Sequence, residues 1–406
     1  MSEGFQPGSK EFRLASIGLF VGGFVTFSIL YSTQAILPTF SREFGVSPAV
    51  ASLSLSFSTG ALAVCLVLFG SCSEAWGRKR MMSLSLLLSS VIVVATALVP
   101  DFRSLLVLRM LEGAALAGLP SVAMAYLAEE MSLESLGLIM GLYISGNSIG
   151  GMSGRIISGL LTDWVSWRAA MAVLGSVGLL GAIWFAATLP ASRNFERSPL
   201  SLRPLAVSLF GHLRDPGLLC LFGLAFSLMG AFVTLYNYVG YHLMQSPFNL
   251  SQAAVGLIFL NYLFGATSST WMGRMADRYG RRRVLWTALA AMATGALVTL
   301  VPSWATVLGG VALYTFGFFG GHSIASSWVG KRARTARAQA ASLYLLFYYL
   351  GSSIGGTVGG FLWSAWRWPG VISLVGGLLC LGALLALKLS FLPPVHAAAP
   401  LPQRGQ

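Results

Sequence analysis

Ionisable side chains inside long apolar runs have the clearest potential for chemistry here, because a charge in such a run is costly unless it is paired, protonated or facing water. Glu112 lies well inside one run, and Arg109, three residues earlier, shares its helical face. A carboxyl group that alternates between pairing with an arginine and contact with water could load and release a proton. The alternative is a permanent Arg109–Glu112 ion pair that joins helices. Glu112 is the only acidic residue deep in any run, which favours the functional interpretation.

Two further ionisable residues, Arg155 and His322, lie in apolar runs. Arg155 could attract an anionic substrate, pair with Glu112 or Asp163, or extend to the membrane edge, and structural pairing is the preferred interpretation. Imidazoles titrate near physiological pH, yet a neutral His322 bonded to a neighbouring helix is preferred to a proton relay. The candidates for proton coupling are therefore Glu112, Arg109 and His322.

The composition predicts an integral membrane protein. The 406-residue chain is 55% hydrophobic and 10% charged, with a mean hydropathy of +0.75, which is more apolar than a soluble protein can accommodate. The net charge of +13 requires no nucleic acid, because most lysines and arginines fall in loops predicted to face the cytoplasm. The sequence has no nucleophile beside a base, no metal-ligand spacing and no phosphate-binding glycine loop. We therefore expect no enzyme activity, metal, cofactor or nucleotide.

Twelve apolar segments are long enough, or nearly so, to cross a bilayer as helices. Most connections are short, which makes neighbouring helices antiparallel. The exception is a polar, proline-punctuated linker, 190–216, which separates two six-helix bundles, 1–189 and 217–406. Lys10 and Arg13 precede the first span, so both termini are expected in the cytoplasm and the first span is not a cleaved signal. The predicted spans are 16–38, 49–71, 81–99, 104–127, 136–161, 167–189, 217–243, 251–272, 283–301, 303–328, 338–363 and 367–388.

Two basic turns carry the clearest internal repeat. Each has two glycines, a carboxylate and a basic triplet at matching positions, and each lies between two apolar runs. The glycines allow the backbone to reverse sharply, and such cationic clusters favour the cytoplasmic side. Because each half has an even number of spans, the halves are predicted to be parallel repeats. The matched residues are Gly70, Glu74, Gly77 and Arg78 in the first turn and Gly273, Asp277, Gly280 and Arg281 in the second.

A glycine-rich stretch in the fifth span has a counterpart, 351–356, in the eleventh. Gly146, Gly150 and Gly154 recur every four positions, the spacing typical of close helix packing, and Gly151 adjoins them. Such packing between bundles would also allow the bundles to rock.

The paired turns resemble the signature of the major facilitator superfamily, and the Arg109 and Glu112 motif and the glycine-rich fifth span are similar to motifs of its twelve-span drug/proton antiporter branch. The resemblance extends from Phe12 to Lys388. It implies an all-α membrane fold of two pseudo-symmetric six-helix bundles, whose basic turns latch the bundles in one access state; a simple topological anchor is the alternative. Three positions depart from the pattern, because Glu74 replaces aspartate, Glu112 replaces a frequent glutamine, and the fifth span lacks the usual proline.

In such a fold the substrate cavity is expected near the membrane midplane, between the repeats. Polar and aromatic residues on the cavity-prone spans are its candidates, although some of the tyrosines could belong to an interfacial belt instead. The candidates are Tyr31, Gln34, Asn147, Arg155, Tyr236, Asn237, Asn261, Tyr344 and Tyr348.

The resemblance implies a monomeric secondary transporter of the inner membrane. Its expected activity is export of a small organic or amphiphilic, drug-like compound in exchange for protons. A symporter or facilitator for a sugar or small metabolite is the second hypothesis, and a membrane receptor or enzyme is the third.

Overall fold

The computed structural model describes residues 4–132, 134–195, 202–333 and 335–392, and these residues are almost entirely helical. The chain is thus an all-α membrane protein. The helices of the first half are α1 (Lys10–Leu30), α2 (Leu37–Phe44), α3 (Pro48–Trp76), α4 (Arg78–Thr96), α5 (Phe102–Leu116), α6 (Gly118–Glu130), α7 (Leu136–Trp164) and α8 (Trp167–Thr188). Those of the second half are α9 (Leu202–Leu213), α10 (Pro216–Leu243), α11 (Gln252–Leu257), α12 (Tyr262–Tyr279), α13 (Arg281–Val298), α14 (Trp304–Arg332) and α15 (Arg337–Phe391).

Nine helical stretches of the described residues are long and apolar enough to cross a membrane. α15 counts once among them, although non-helical angles at Trp366 and Arg367 divide it where the sequence predicts two spans. α7 and α13 are not among the nine. The count of twelve spans therefore stays a prediction.

The first predicted span is two helices rather than one. α1 ends at Leu30, and a 3-10 turn, Gln34–Ile36, precedes α2. Pro38 lacks the N–H that a continuous helix would donate to the Gln34 carbonyl, so it favours a break here. The eighth span is broken in the same way by a 3-10 turn, Ile258–Asn261.

The predicted linker, 190–216, contains the helix α9, which the sequence did not predict. Residues 196–201 of this linker and the tail from residue 393 lie outside the described residues.

Helix packing follows the repeat. α1 packs on α7 in the first half, and α10 packs on the first part of α15 in the second. The halves meet where α3 contacts α15 and where α7 contacts α11. In the repeat, α3 corresponds to the span that begins with α11, and α7 corresponds to the first part of α15. The two contacts between the halves are therefore equivalent to each other.

The two basic turns have the same backbone conformation. Gly77 has φ 96° and ψ 143°, and Gly280 has φ 90° and ψ 138°. Each glycine joins two helices, and each donates its N–H to the carbonyl four residues earlier. This part of φ/ψ space is accessible almost exclusively to glycine.

Gly77→Ala and Gly280→Ala should each lower the free energy of unfolding by about 1–3 kcal/mol, because a Cβ strains this conformation. Gly273→Ala is the matched control, since Gly273 is helical and nothing lies within 4 Å of an added Cβ. Thermal melting of the purified variants in detergent measures the difference. Equal losses at Gly273 and Gly280 would show that backbone conformation is not the cause.

Candidate functional site

Arg155 on α7 is the central cation of the site. Its side chain is only 2% exposed. The guanidinium lies over the ring of Tyr31 at 4.0 Å, and the rings of Tyr262 and Phe259 lie at 4.8 and 5.0 Å. Tyr31 belongs to the first half and the other two rings to the second. Three aromatic faces from both halves thus surround one positive charge, an arrangement that stabilises a desolvated cation.

Two amide side chains extend this contact across the interface. Arg155 Nε donates to Gln34 Oε1 (2.6 Å), and Gln34 Nε2 donates to Asn237 Oδ1 (2.8 Å). The cation needs an oxygen acceptor, so it fixes the orientation of Gln34. Asn237 Nδ2 is buried and has no hydrogen-bond partner among the described residues. Arg155 Nη1 also donates to the carbonyl of Gly151, one turn earlier on α7.

The sequence favoured an ion pair between Arg155 and Glu112 or Asp163, and the structure has neither pair. Glu112 pairs with Arg109, and Asp163 is exposed. None of the ion pairs within the described residues includes Arg155. The site therefore carries a buried positive charge with no carboxylate partner in the described chain.

An aromatic wall of the second half runs from this cage to His322. The ring of Tyr236 lies 5.4 Å from Tyr262 and 4.8 Å from Phe232. Phe232 in turn stacks on Phe318 at 3.7 Å, and Phe318 faces the His322 ring at 6.0 Å. Tyr236, one of the predicted cavity residues, is thus connected to His322 through a series of rings.

His322 lies at the far end of this wall and is half-buried. Its Nδ1 is 2.9 Å from the hydroxyl of Tyr344 on α15, and its ring lies 4.7 Å from that of Tyr348. His322 is thus bonded to a neighbouring helix, and both interpretations from the sequence, a neutral structural histidine and a proton relay, stay predictions.

The Arg109–Glu112 pair is not part of the aromatic cage and is fully buried, with 0% exposure at both residues. Arg109 Nη1 is 2.6 Å from both carboxylate oxygens of Glu112. Arg109 also donates to the carbonyl of Ser54 on α3 (2.8 Å) and to those of Ile29 and Leu30 at the end of α1 (3.4 and 2.7 Å). A cation at a helix C-terminus satisfies carbonyls that lack intrahelical partners. The pair therefore stabilises the break in the first span, from which Tyr31 and Gln34 project.

Hydrogen bonds between the halves are confined to one end of the molecule and the middle. At the end opposite the basic turns, Gln252 donates to the Ala35 carbonyl (2.7 Å), and Tyr241 donates to the Leu37 carbonyl (2.9 Å). Midway along α3 and α15, the hydroxyls of Thr59 and Ser353 are 2.8 Å apart. Within the described residues, no such bond joins the halves nearer the basic turns. The two halves are thus bonded together in the middle and at the end opposite the basic turns, which we call the tied end.

Backbones also meet closely at the tied end. An added Cβ at Gly360 on α15 would lie 2.3 Å from Ala49 Cα on α3, and one at Gly159 on α7 would lie 2.9 Å from Gly256 Cα on α11. Only glycine allows these approaches.

The basic turns make their contacts within their own halves. Arg78 pairs with Glu129 at the end of α6 (2.7 Å), whereas Glu74 is exposed. Asp277 has a longer contact to Arg281 in its own turn (3.4 Å), where an exposed pair contributes little. The turns do not bond the halves together in this conformation of the described chain.

An ion pair also joins two helices of the second half at the end that carries the basic turns. Asp215 caps α10 and pairs with Arg332 of α14 at 2.7 Å. Partial burial raises the pKa of Asp215, but the hydrogen bonds from Arg332 and from the Leu218 N–H outweigh it and leave that pKa below its usual value. Asp215 therefore remains ionised at neutral pH, and each half is tied internally at its basic end.

The predicted packing glycines lie against α1, which belongs to the same bundle as α7, so this packing is within the first bundle and not between the bundles as expected. An added Cβ at Gly146, Gly150 or Gly154 would lie 2.2–2.3 Å from a main-chain oxygen of α1. Gly351 has the same relation to α10, where the Phe226 carbonyl would be 2.2 Å away. Gly151 faces the Arg155 guanidinium instead, since a Cβ there would lie 3.2 Å from Nη1.

Most of the predicted cavity residues come together, but two do not. Asn147 lies against Gly23 of α1, and its Oδ1 has no partner among the described residues. Asn261 lies in an apolar groove beside Trp304 and donates to the carbonyl of Ile258 in its own turn. These amides are therefore separate from the Arg155 cage.

Several residues at the site carried no prediction. Phe259 is one of many phenylalanines in apolar runs and gives no local signal. Gln252 is a polar residue at the start of the eighth span, and the alternating serines of α3, from Ser52 to Ser58, are unusual in a lipid-facing helix. Such polar positions in a span signal contact with another helix and could have identified the interface.

Comparisons with known proteins place this geometry in context. The family model described as Major Facilitator Superfamily matches residues 19–245 and 238–406. The MFS-type transporter YybF of Bacillus subtilis (strain 168) is 49% identical over 385 residues, which cover 95% of this chain and 94% of that protein. The inner membrane transport protein YnfM of Escherichia coli (strain K12) is 46% identical, with 94% and 92% covered.

A solved structure has the same fold. It is a bacterial homologue of the human lysosomal transporter Spinster in an inward-facing, unoccupied conformation, with a TM-score of 0.75 and 16% identity, covering 95% of this chain and 98% of that one.

Proposed function

This chain belongs to the major facilitator superfamily, and from that premise we propose that it exports a small organic compound across the inner membrane by proton-coupled alternating access. The bundles 1–189 and 217–406, connected by the linker 190–216, are the moving units of this proposal. Both termini face the cytoplasm, and the transporter acts as a monomer. The sequence has no nucleotide-binding loop, which disfavours transport driven by ATP.

The one-sided distribution of hydrogen bonds between the halves carries the proposal. Bonds such as Gln34 to Asn237 and Thr59 to Ser353 join the halves away from the basic turns. If the basic turns are cytoplasmic, as their charge predicts, the structure corresponds to an inward-open state. Opening the tied end and joining the basic end would give the alternate state, in which the Arg78 and Arg281 turns act as the predicted latch.

For the proton, we propose His322 rather than Glu112. A proton carrier must meet water, and Glu112 is sealed in a pair whose arginine also bonds backbone of α1 and α3. Protonating Glu112 would leave a buried arginine unpaired, which is costly. His322 is half-buried at the aromatic wall, where opening of the bundles would change its contact with water.

Everted membrane vesicles with an imposed proton gradient and a fluorescent pH probe test this proposal. A panel of cationic drugs, neutral antibiotics, sugars and organic acids is added to wild type, His322→Gln and Tyr344→Phe. We expect at least one compound to collapse the gradient with wild type and Tyr344→Phe, and the response to fall at least about tenfold in His322→Gln, as expected for loss of an acid–base group.

Counterflow of the same compound provides the control, since it requires substrate binding without a proton. Counterflow that survives in His322→Gln, together with a lost gradient response, supports the assignment. An unchanged gradient response in His322→Gln rejects His322 as the carrier. Counterflow without any gradient response in wild type rejects antiport in favour of a facilitator.

A further inference from the structure

We propose that Arg155 binds the carboxylate of a small organic monoacid. This inference deepens the proposed function by naming the substrate class, and it rests on the transport role of the same site.

The charge balance of the two buried arginines is the first argument. Arg109 is neutralised by Glu112 at 2.6 Å, whereas Arg155 has no acidic partner in the described chain. A buried charge without a counter-charge is costly, and a protein that retains one has a use for it. Cation–π contacts with three rings reduce this cost but bring no negative charge.

The hydrogen-bonding capacity of Arg155 is the second argument. A guanidinium has five N–H groups in a planar fork, and here Gln34 and Gly151 accept from it. Both acceptors are neutral. The remaining N–H groups have no protein acceptor within the described chain. This fork matches the two oxygens of a carboxylate, which it can bind in a bidentate manner.

A neighbouring orphan group is the third argument. The ring of Tyr262 lies 4.8 Å from the Arg155 guanidinium, and its hydroxyl is buried and has no partner in the described residues. A tyrosine hydroxyl can donate a hydrogen bond. An unpaired donor near an unpaired cation favours a ligand that presents acceptor oxygens.

The surroundings limit the charge of that ligand. Arg155 is the one cation that the described residues place against the rings of Tyr31, Phe259 and Tyr262. A single negative charge is therefore matched, and a doubly charged phosphate ester is not. The class is a small organic monocarboxylate.

Binding of two probes of equal shape to the purified wild-type protein tests the charge requirement. The probes are 2-naphthoate and its neutral amide, 2-naphthamide, measured by the ligand-dependent shift of the melting temperature in detergent. We expect naphthoate to bind at least about tenfold more tightly than the amide, as for a hydrogen-bonded charge. Equal binding of both probes, or no naphthoate-dependent shift up to its solubility limit, would overturn the proposal.

Two variants locate the site. Arg155→Gln removes the cation, and Gln34→Glu keeps the shape of residue 34 while placing a carboxylate where Arg155 Nε now donates. We expect both to lose the preference for naphthoate over the amide, and Gln34→Glu remains informative should Arg155→Gln fail to fold. Arg168→Gln is the matched control, because Arg168 pairs with Glu43 at an exposed site away from the cage. Naphthoate preference retained in Gln34→Glu would contradict the assignment.

The result is separable from the outcome of the proton-gradient assay. Carboxylate binding without a gradient response would leave this inference standing and reject proton coupling. A gradient response to neutral or cationic compounds alone would leave proton coupling standing and reject the carboxylate site.

Discussion

Replacing Arg109 with glutamine should unfold much of the protein, with an expected cost of about 3–5 kcal/mol for breaking a buried ion pair. The variant leaves Glu112 charged without a partner. It also removes donors from the carbonyls of Leu30 and Ser54, which are 2.7 and 2.8 Å from the guanidinium. The break in the first span, which presents Tyr31 to the cage, would lose its support.

Thermal melting and the yield of monodisperse protein in detergent measure this loss. Arg103→Gln is the matched control, since Arg103 is an exposed arginine on the same helix, α5, and should change stability by less than about 0.5 kcal/mol. Glu112→Gln should also destabilise, because it leaves Arg109 uncompensated. A Glu112→Gln variant that melts like wild type but no longer couples protons would show that Glu112 is the carrier and that the pair is not structural.

Much of this architecture is predictable from the sequence because it depends on local patterns. The positive-φ glycines of the basic turns, Gly77 and Gly280, lie between apolar runs and beside basic triplets. The four-residue spacing of Gly146, Gly150 and Gly154 directly reflects the helical repeat that brings them onto α1. Repeats of this kind are visible in one sequence without any knowledge of the tertiary contacts.

The site itself is only partly predictable, because its contacts join residues far apart in the chain. Gln34 and Asn237 were expected in the cavity as intramembrane amides, but nothing local indicates that they bond to each other. The role of Arg155 depends on which carboxylates lie nearby, and this is decided by helix packing. Phe259 faces the cation from a 3-10 turn that breaks the eighth span, and no proline marks this turn in the sequence.

A disulfide between residues 59 and 353 should stop transport, and this is the second large effect expected. Thr59 Oγ1 and Ser353 Oγ are 2.8 Å apart across the two halves. Cysteines at these positions would have sulfur atoms close enough to bond after small rotations. The bond would hold α3 against α15 in the middle of the interface, and the two halves could not separate there.

The lock is made in a protein whose four native cysteines, Cys65, Cys72, Cys220 and Cys380, are replaced by alanine. The controls are Thr59→Cys and Ser353→Cys alone, which cannot form the bond. A further control is Ser132→Cys with Ser135→Cys, whose hydroxyls are 2.7 Å apart within one connection of the first half. Oxidation of this control pair should leave transport unchanged, because the bond crosses no moving interface.

Alternating access is the central claim. The most direct test measures uptake into proteoliposomes of the compound identified in the vesicle assay. Uptake is compared before and after oxidation of the Thr59→Cys, Ser353→Cys variant. The account predicts that oxidation lowers the rate at least about tenfold, as expected when the conformational step is blocked, and that a reducing agent restores it. If the protein with its disulfide fully formed transports as fast as the same protein after treatment with the reducing agent, the account is contradicted. The two halves would then not need to separate where α3 contacts α15.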